Sequence, residues 1–161
     1  MRNKIIITIV LLLSVMVVHP QGLKNNGASI VVKSGAEMVI GGSDGNYTHQ
    51  TSGGVDGRIY LDGQMILQGS WYNNAANTVF PDPDENGLVT IQTQPFKATQ
   101  QIGGTGVTRF ENLTVGAGAT AEILANAEIR VLFDLINNGT IEVNGNLYIE
   151  GTFTNNGDIT G

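Results

Sequence analysis

The stretch Thr140-Ile-Glu-Val-Asn-Gly-Asn-Leu-Tyr-Ile-Glu-Gly-Thr-Phe-Thr-Asn-Asn-Gly157 repeats, without a gap, the stretch Arg58-Ile-Tyr-Leu-Asp-Gly-Gln-Met-Ile-Leu-Gln-Gly-Ser-Trp-Tyr-Asn-Asn-Ala75 that precedes it in the chain. Ile59, Gly63, Gly69, Asn73 and Asn74 recur by identity as Ile141, Gly145, Gly151, Asn155 and Asn156. Leu61, Met65, Leu67 and Trp71 recur in character as Val143, Leu147, Ile149 and Phe153. Self-similarity of this kind marks a repeat architecture. Apolar residues fall at alternate positions and glycines interrupt them, so the repeating unit is built of short strands and tight turns.

A third, degraded copy opens at Asn25-Asn-Gly27 and runs to Gly42, following the scheme of 137–151 with residues inserted. Asn-Asn-Gly therefore stands at 25, 137 and 155. The last two marks lie about 18 residues apart, close to one coil of a parallel β-solenoid with three short faces. The expected fold is all-β: a parallel β-solenoid (right-handed β-helix). In such a coil each strand pairs with its equivalents about 4.8 Å above and below. A two-sheet β-sandwich, which uses the same short alternating strands, is the alternative. The solenoid reading points Ile141, Val143, Leu147, Ile149, Phe153 and Trp71 inward and Glu142, Asn144, Tyr148 and Glu150 outward. It gives Gly139, Gly145, Gly151 and Gly157 corners of positive φ. Asn-Asn-Gly is first a turn, with asparagine tolerating left-handed backbone and its amides stacking from coil to coil.

Between the copies, 41–57 reads as a polar, glycine-rich excursion, 88–92 and 108–115 as strands, and 121–135 as strand, turn, strand. Nothing divides residues 22–161 into two domains. The chain stops inside a fresh coil at Gly161, which predicts either further repeats of the same chain or pairing with another chain at that C-terminal edge.

Residues 1–21 have the form of a signal peptide: Arg2 and Lys4 precede the apolar run from Ile5 to Val18, too short for a permanent span of about 20 residues. The expected localisation is secreted or cell surface, with cleavage near Gln21 and an uncleaved anchor as the alternative. There is no cysteine, which excludes disulfides, thiol catalysis and thiolate metal sites. Beyond the leader, Lys24, Lys33, Arg58, Lys97, Arg109 and Arg130 face 14 carboxylates, a balance of minus eight. That surface repels nucleic-acid phosphates and anionic lipid, so neither is an expected partner.

The Asn46-Tyr-Thr48 segment, Leu61-Asp-Gly63, the run Leu67-Gln-Gly-Ser-Trp-Tyr-Asn-Asn74, Gln100-Gln-Ile-Gly-Gly104, Phe110-Glu-Asn-Leu-Thr-Val115 and the closing Asn-Asn-Gly repeats give the chain a style of its own. From about Gly22 to Gly161 it resembles the solenoid-like, repeat-containing regions of large secreted and cell-surface proteins of Bacteroidota. The resemblance implies a structural or adhesin-like role and export by the type IX route, whose proteins often end in a C-terminal sorting domain. It implies no catalytic residue.

Asp82-Pro-Asp-Glu-Asn-Gly87 has the opening of a calcium loop, with Asp82, Asp84 and Asn86 as oxygen ligands and glycine forcing the bend. Thr93 stands where an EF-hand would supply its bidentate glutamate, and an ordinary acidic turn explains the same residues. Calcium is thus the one cofactor the sequence raises. Tyr60, Tyr72 and Tyr148 fall at outward positions and would be candidates to stack on sugar rings, against the plainer reading as cross-strand partners. Glu142, Glu150 and Asp62 lack an accompanying basic residue, and His49 stands alone in a polar loop, so catalysis is not expected. The function expected is an exported, non-enzymatic structural or adhesive solenoid segment, with surface polysaccharide or protein as partner. The alternative is a carbohydrate-binding or polysaccharide-degrading β-helix module.

Overall fold

The computed structural model describes residues 22–42, 45–76, 79–80, 86–93 and 99–161, and these form strands and turns with no helix. The first coil is β1 (Leu23–Asn26), β2 (Ser29–Val32) and β3 (Glu37–Ile40). The second is β4 (Tyr47–Ser52), a hairpin return β5 (Val55–Asp56), β6 (Arg58–Leu61) and β7 (Gln64–Leu67). The third has β8 (Trp71–Asn73) and β9 (Leu88–Ile91), and the fourth β10 (Thr99–Gly103), β11 (Thr108–Phe110) and β12 (Asn112–Val115). The fifth is β13 (Thr120–Ile123), β14 (Glu128–Val131) and β15 (Asp134–Asn137). The sixth is β16 (Thr140–Val143), β17 (Asn146–Ile149) and β18 (Thr152–Asn155), after which β19 (Asp158–Thr160) opens a seventh.

Strands of equal position stack into faces. The first face runs β1-β4-β8-β10-β13-β16-β19, and the third runs β3-β7-β9-β12-β15-β18. The second face carries β2-β6 and, farther along, β11-β14-β17. Every pairing among the described residues is parallel except the β4–β5 hairpin. A β-sandwich needs antiparallel sheets, so the fold is the parallel β-solenoid.

Strands form because alternate side chains find the interior, as in the intermediate–buried alternation of β12, β13 and β14. Those side chains make continuous columns. On the first face Tyr47, Trp71, Ile102, Ile123 and Val143 succeed one another in register. On the third, Met38, Met65, Val89, Leu113, Leu135 and Phe153 do the same. Phe153 and Ile159 remain 40% and 49% exposed because β18 and β19 end their stacks, with no strand over them among the described residues. Phe133, by contrast, lies outward at the corner between β14 and β15, outside the inward alternation.

Coil length is not constant. The offset between hydrogen-bonded partners on neighbouring coils is 24 residues from Asn46 to Ser70, 31 from Ser70 to Gln101, 21 from Gln101 to Glu122 and 18 from Asn137 to Asn155. The coil length read from the sequence thus holds for the C-terminal end. The tightening has a chemical correlate: in the inward column Leu67, Ile91, Val115, Asn137, Asn155, the apolar residue gives way to asparagine where the coil shortens. Asn137 Oδ1 accepts from Gly139 N–H at 3.2 Å, turning the corner, while its Nδ2 donates to Asn155 Oδ1 at 2.8 Å and to Asp158 O at 2.9 Å. Asn156 donates to Asn138 at 2.9 Å on the outside, so both asparagines of the motif form ladders.

Two backbone expectations need correcting. Among the described residues no asparagine adopts positive φ, and Gly139, Gly145, Gly151 and Gly157 do not either. These glycines are needed for close approach instead: a Cβ on Gly145 would lie 2.2 Å from Leu124 O, and one on Gly157 2.0 Å from Gly139 O. Each corner rests on the carbonyl of the corner beneath it. Likewise 41–57 is only partly an excursion, since β4 sends Tyr47 and His49 into the core, while its hairpin with β5 leaves the coil.

Candidate functional surfaces

The calcium candidate divides between Asn86, which is exposed just before β9, and Asp82 and Asp84, which lie outside the described residues. Among the described residues no three His, Asp or Glu side chains are grouped so as to hold a metal ion. Residues 1–21, with the expected signal peptide, also lie outside the described set.

The three tyrosines do not converge. Tyr60 is on the second face in the second coil, Tyr72 on the first face in the third, and Tyr148 on the second face in the sixth. Four coils, about 19 Å at a parallel-sheet spacing of about 4.8 Å, separate Tyr60 from Tyr148. Tyr72 donates its hydroxyl to Gln101 Oε1 at 2.8 Å, and Gln101 in turn donates to Glu122 at 3.0 Å. The Arg130 guanidinium lies 5.0 Å from the Tyr148 ring centroid, covering one ring face by a cation–π contact. Arg130 also pairs with Glu128 at 2.9 Å and Glu150 at 3.5 Å, so Glu150 does have a basic companion. Glu142 is on the first face, whereas Glu150 follows β17 of the second.

His49 is in β4 and fully buried, not in a polar loop. It belongs to an inward polar column, Asn25, His49, Asn73, adjacent to the aromatic column. Its Nδ1 is 2.9 Å from the Tyr47 hydroxyl, and its Nε2 is buried with no hydrogen-bond partner among the described residues. Burial holds the imidazole below the usual histidine range, outweighing the opposite pull of the Gly57 backbone and the Asp56 carboxylate. Burial also raises the Tyr47 phenol above its ordinary range. A histidine that binds its proton more weakly when folded stabilises the fold fully above its unfolded pKa of about 6.5, and that contribution is lost as pH falls below it. Thermal midpoints measured downward from neutral pH should therefore start to fall near pH 6.5, and His49→Gln should flatten that first segment; an unchanged slope in the variant would refute the assignment.

Two shallow clefts lie on the outside of the described residues. One, of about 300 Å³, crosses the third face between Leu88, Asn112, Thr114, Asp134 and Ile136. Its amide is already engaged: Asn112 donates to Gly87 O at 3.2 Å and accepts from Asp134 N–H at 3.2 Å. The other, of about 390 Å³, lies between the β4–β5 hairpin and the outer side of β2 and β6, with Ser29, Asp56, Arg58 and Tyr60 on its walls. Tyr60 is recognisable in the sequence and its neighbours in the cleft are not, because the hairpin that brings Asp56 beside Ser29 is signalled only by Gly53-Gly54.

Fold and surfaces define the chain as a parallel β-solenoid with a hairpin-walled cleft at its N-terminal coils. No protein-family model matches the chain, and no curated protein or solved structure matches it.

Proposed function

We propose that the chain is an exported, non-enzymatic solenoid segment that forms a structural or adhesive part of a cell-surface or secreted protein, as its resemblance to such regions of Bacteroidota proteins implies. The observation that carries this reading is the use of its buried polar groups. Asn73 and Asn137 are engaged in corner and coil-to-coil hydrogen bonds, not aimed at a common cavity. A stack of coils with a continuous apolar interior is a rod that presents the same outward positions repeatedly, which suits multivalent attachment to a surface polysaccharide or protein. The full gene expressed in a Bacteroidota host should yield a product on or outside the cell that protease reaches on intact cells, with a mass lacking about the first 21 residues. A full-mass product retained in the cytoplasm would overturn the reading.

A second reading, carbohydrate binding, is favoured by the cleft that joins Tyr60 to Arg58 and Asp56. No corresponding observation favours polysaccharide cleavage.

A further inference from the structure

We propose that the cleft between the β4–β5 hairpin and the outer side of β2 and β6 binds one neutral pyranose unit of a glycan. Its volume, about 390 Å³, falls within the range of roughly 300–1,000 Å³ usual for small-ligand sites. Ser29 and Arg58 are register partners on adjacent strands, Tyr60 follows Arg58 on the same outward side, and Gly54, Val55 and Asp56 close the cleft from the hairpin.

The chemistry on these walls matches a sugar ring. A pyranose has an apolar C–H face and a rim of hydroxyls that each donate and accept. Half-buried Tyr60 offers an aromatic surface to the first. For the rim, Arg58 supplies N–H donors that make no ion pair or side-chain hydrogen bond among the described residues, Asp56 supplies acceptor oxygens, and Ser29 supplies both. The carboxylate opposes an anionic ligand and the guanidinium opposes a cationic one, which leaves an uncharged polyol as the fitting class. The acidic balance of the whole chain disfavours a polyanion further.

The walls are also held in place, so little ordering is required on binding. Thr51 hydrogen-bonds Asp56 across the hairpin. Below it, Gly57 packs so tightly on Asn25 that a Cβ would come within 2.5 Å of the amide oxygen, and Asn25 brackets the Ala28 backbone at 2.9 and 3.0 Å. Tyr47 and His49 anchor the base of the hairpin in the core. The third-face cleft has no comparable set, since its amide is already bonded to backbone.

The inference rests on the adhesive reading for its biological setting and is tested apart from it. The purified chain, labelled with ¹⁵N, is titrated with methyl α-D-glucopyranoside, methyl α-D-mannopyranoside and methyl β-D-galactopyranoside, and with methyl β-D-glucuronide as a charged contrast. At least one neutral glycoside should shift amide resonances within 27–29 and 54–60. Arg58→Ala and Tyr60→Ala should weaken it by about tenfold or more, while Tyr148→Ala leaves it unchanged. Arg58 is exposed, so its variant keeps the core spectrum even if the Tyr60 variant does not. No shift with any neutral glycoside, shifts centred on another face, or preference for the glucuronide would overturn the proposal. Such a result leaves the structural reading standing, and a failed export test leaves sugar binding standing.

Discussion

Trp71→Ala should lower the unfolding free energy by about 3–5 kcal/mol, the usual cost of deleting a large buried aromatic ring. Trp71 sits where the first-face column meets the interior of the third coil. Its ring centroid is 4.3 Å from that of Tyr47, 5.7 Å from Phe80 and 5.5 Å from Phe110, and its Nε1 donates to Thr108 Oγ1 at 3.1 Å. Removing it strips four partners at once, in the longest coil, where the second face has no regular strand among the described residues to compensate. Trp71→Phe keeps a ring but forfeits the hydrogen bond, and should cost about 1 kcal/mol in bonding beyond its packing loss. Urea unfolding followed by circular dichroism measures both, because Trp71 is the sole tryptophan and the alanine variant loses the fluorescent probe. A loss under about 1 kcal/mol for the alanine variant would mean the aromatic cluster is not the stabilising centre assigned to it.

Gly104→Ala should be nearly as costly for a different reason. Gly104 has φ of +113° and faces the backbone of β8 so closely that a Cβ would lie 2.0 Å from Asn73 O. Backbone strain and overpacking contribute about 1–3 kcal/mol each. The carbonyl in the way is structural, since Gly106 N–H donates to Asn73 O at 2.9 Å. The variant should therefore show both a lower thermal midpoint and faster hydrogen exchange at Gly106. Gly35→Asn is the contrast: φ is +76° but nothing lies within 4 Å of a Cβ, and asparagine tolerates that conformation, so its effect should be small. Equal midpoints for Gly104→Ala and the parent chain would refute the close-approach account.

The alternation of apolar residues and the Asn-Asn-Gly marks make strands, turns and stacking legible, because both signals are local to a few residues of backbone. The identity of a face is not legible in this way. The strands within 58–75 occupy the second, third and first faces, whereas their sequence matches within 140–157 occupy the first, second and third. Any face needs the same pattern of inward side chains and corner residues, so the two stretches match while sitting one face out of step. Trp71 and Phe153 correspond in sequence and both point inward, yet one is buried and the other is 40% exposed.

The candidate sites divide in the same way. Tyr60 is identifiable from its outward position alone; its partnership with Asp56 and Ser29 depends on a hairpin folding back over the preceding coil. Tyr72 and Tyr148 look equivalent to it in sequence, but Gln101 and Arg130 engage them from neighbouring coils. His49 has polar neighbours in sequence, and the register of β1, β4 and β8 is what buries it between Asn25 and Asn73.

By itself the sequence determined that the chain is all-β, that its strands are short and turn often, and that its final coil is a short one, spanning 18 residues between the last two Asn-Asn-Gly marks. Tertiary structure alone decided the variable length of the earlier coils, the face on which each strand lies, and the close approach that requires glycine at the corners. The physical reason is that side-chain alternation and turn chemistry are written within a few residues of one another. Stacking depends instead on what the chain places one coil away, an offset of 18 residues between Asn137 and Asn155 but 31 residues between Ser70 and Gln101.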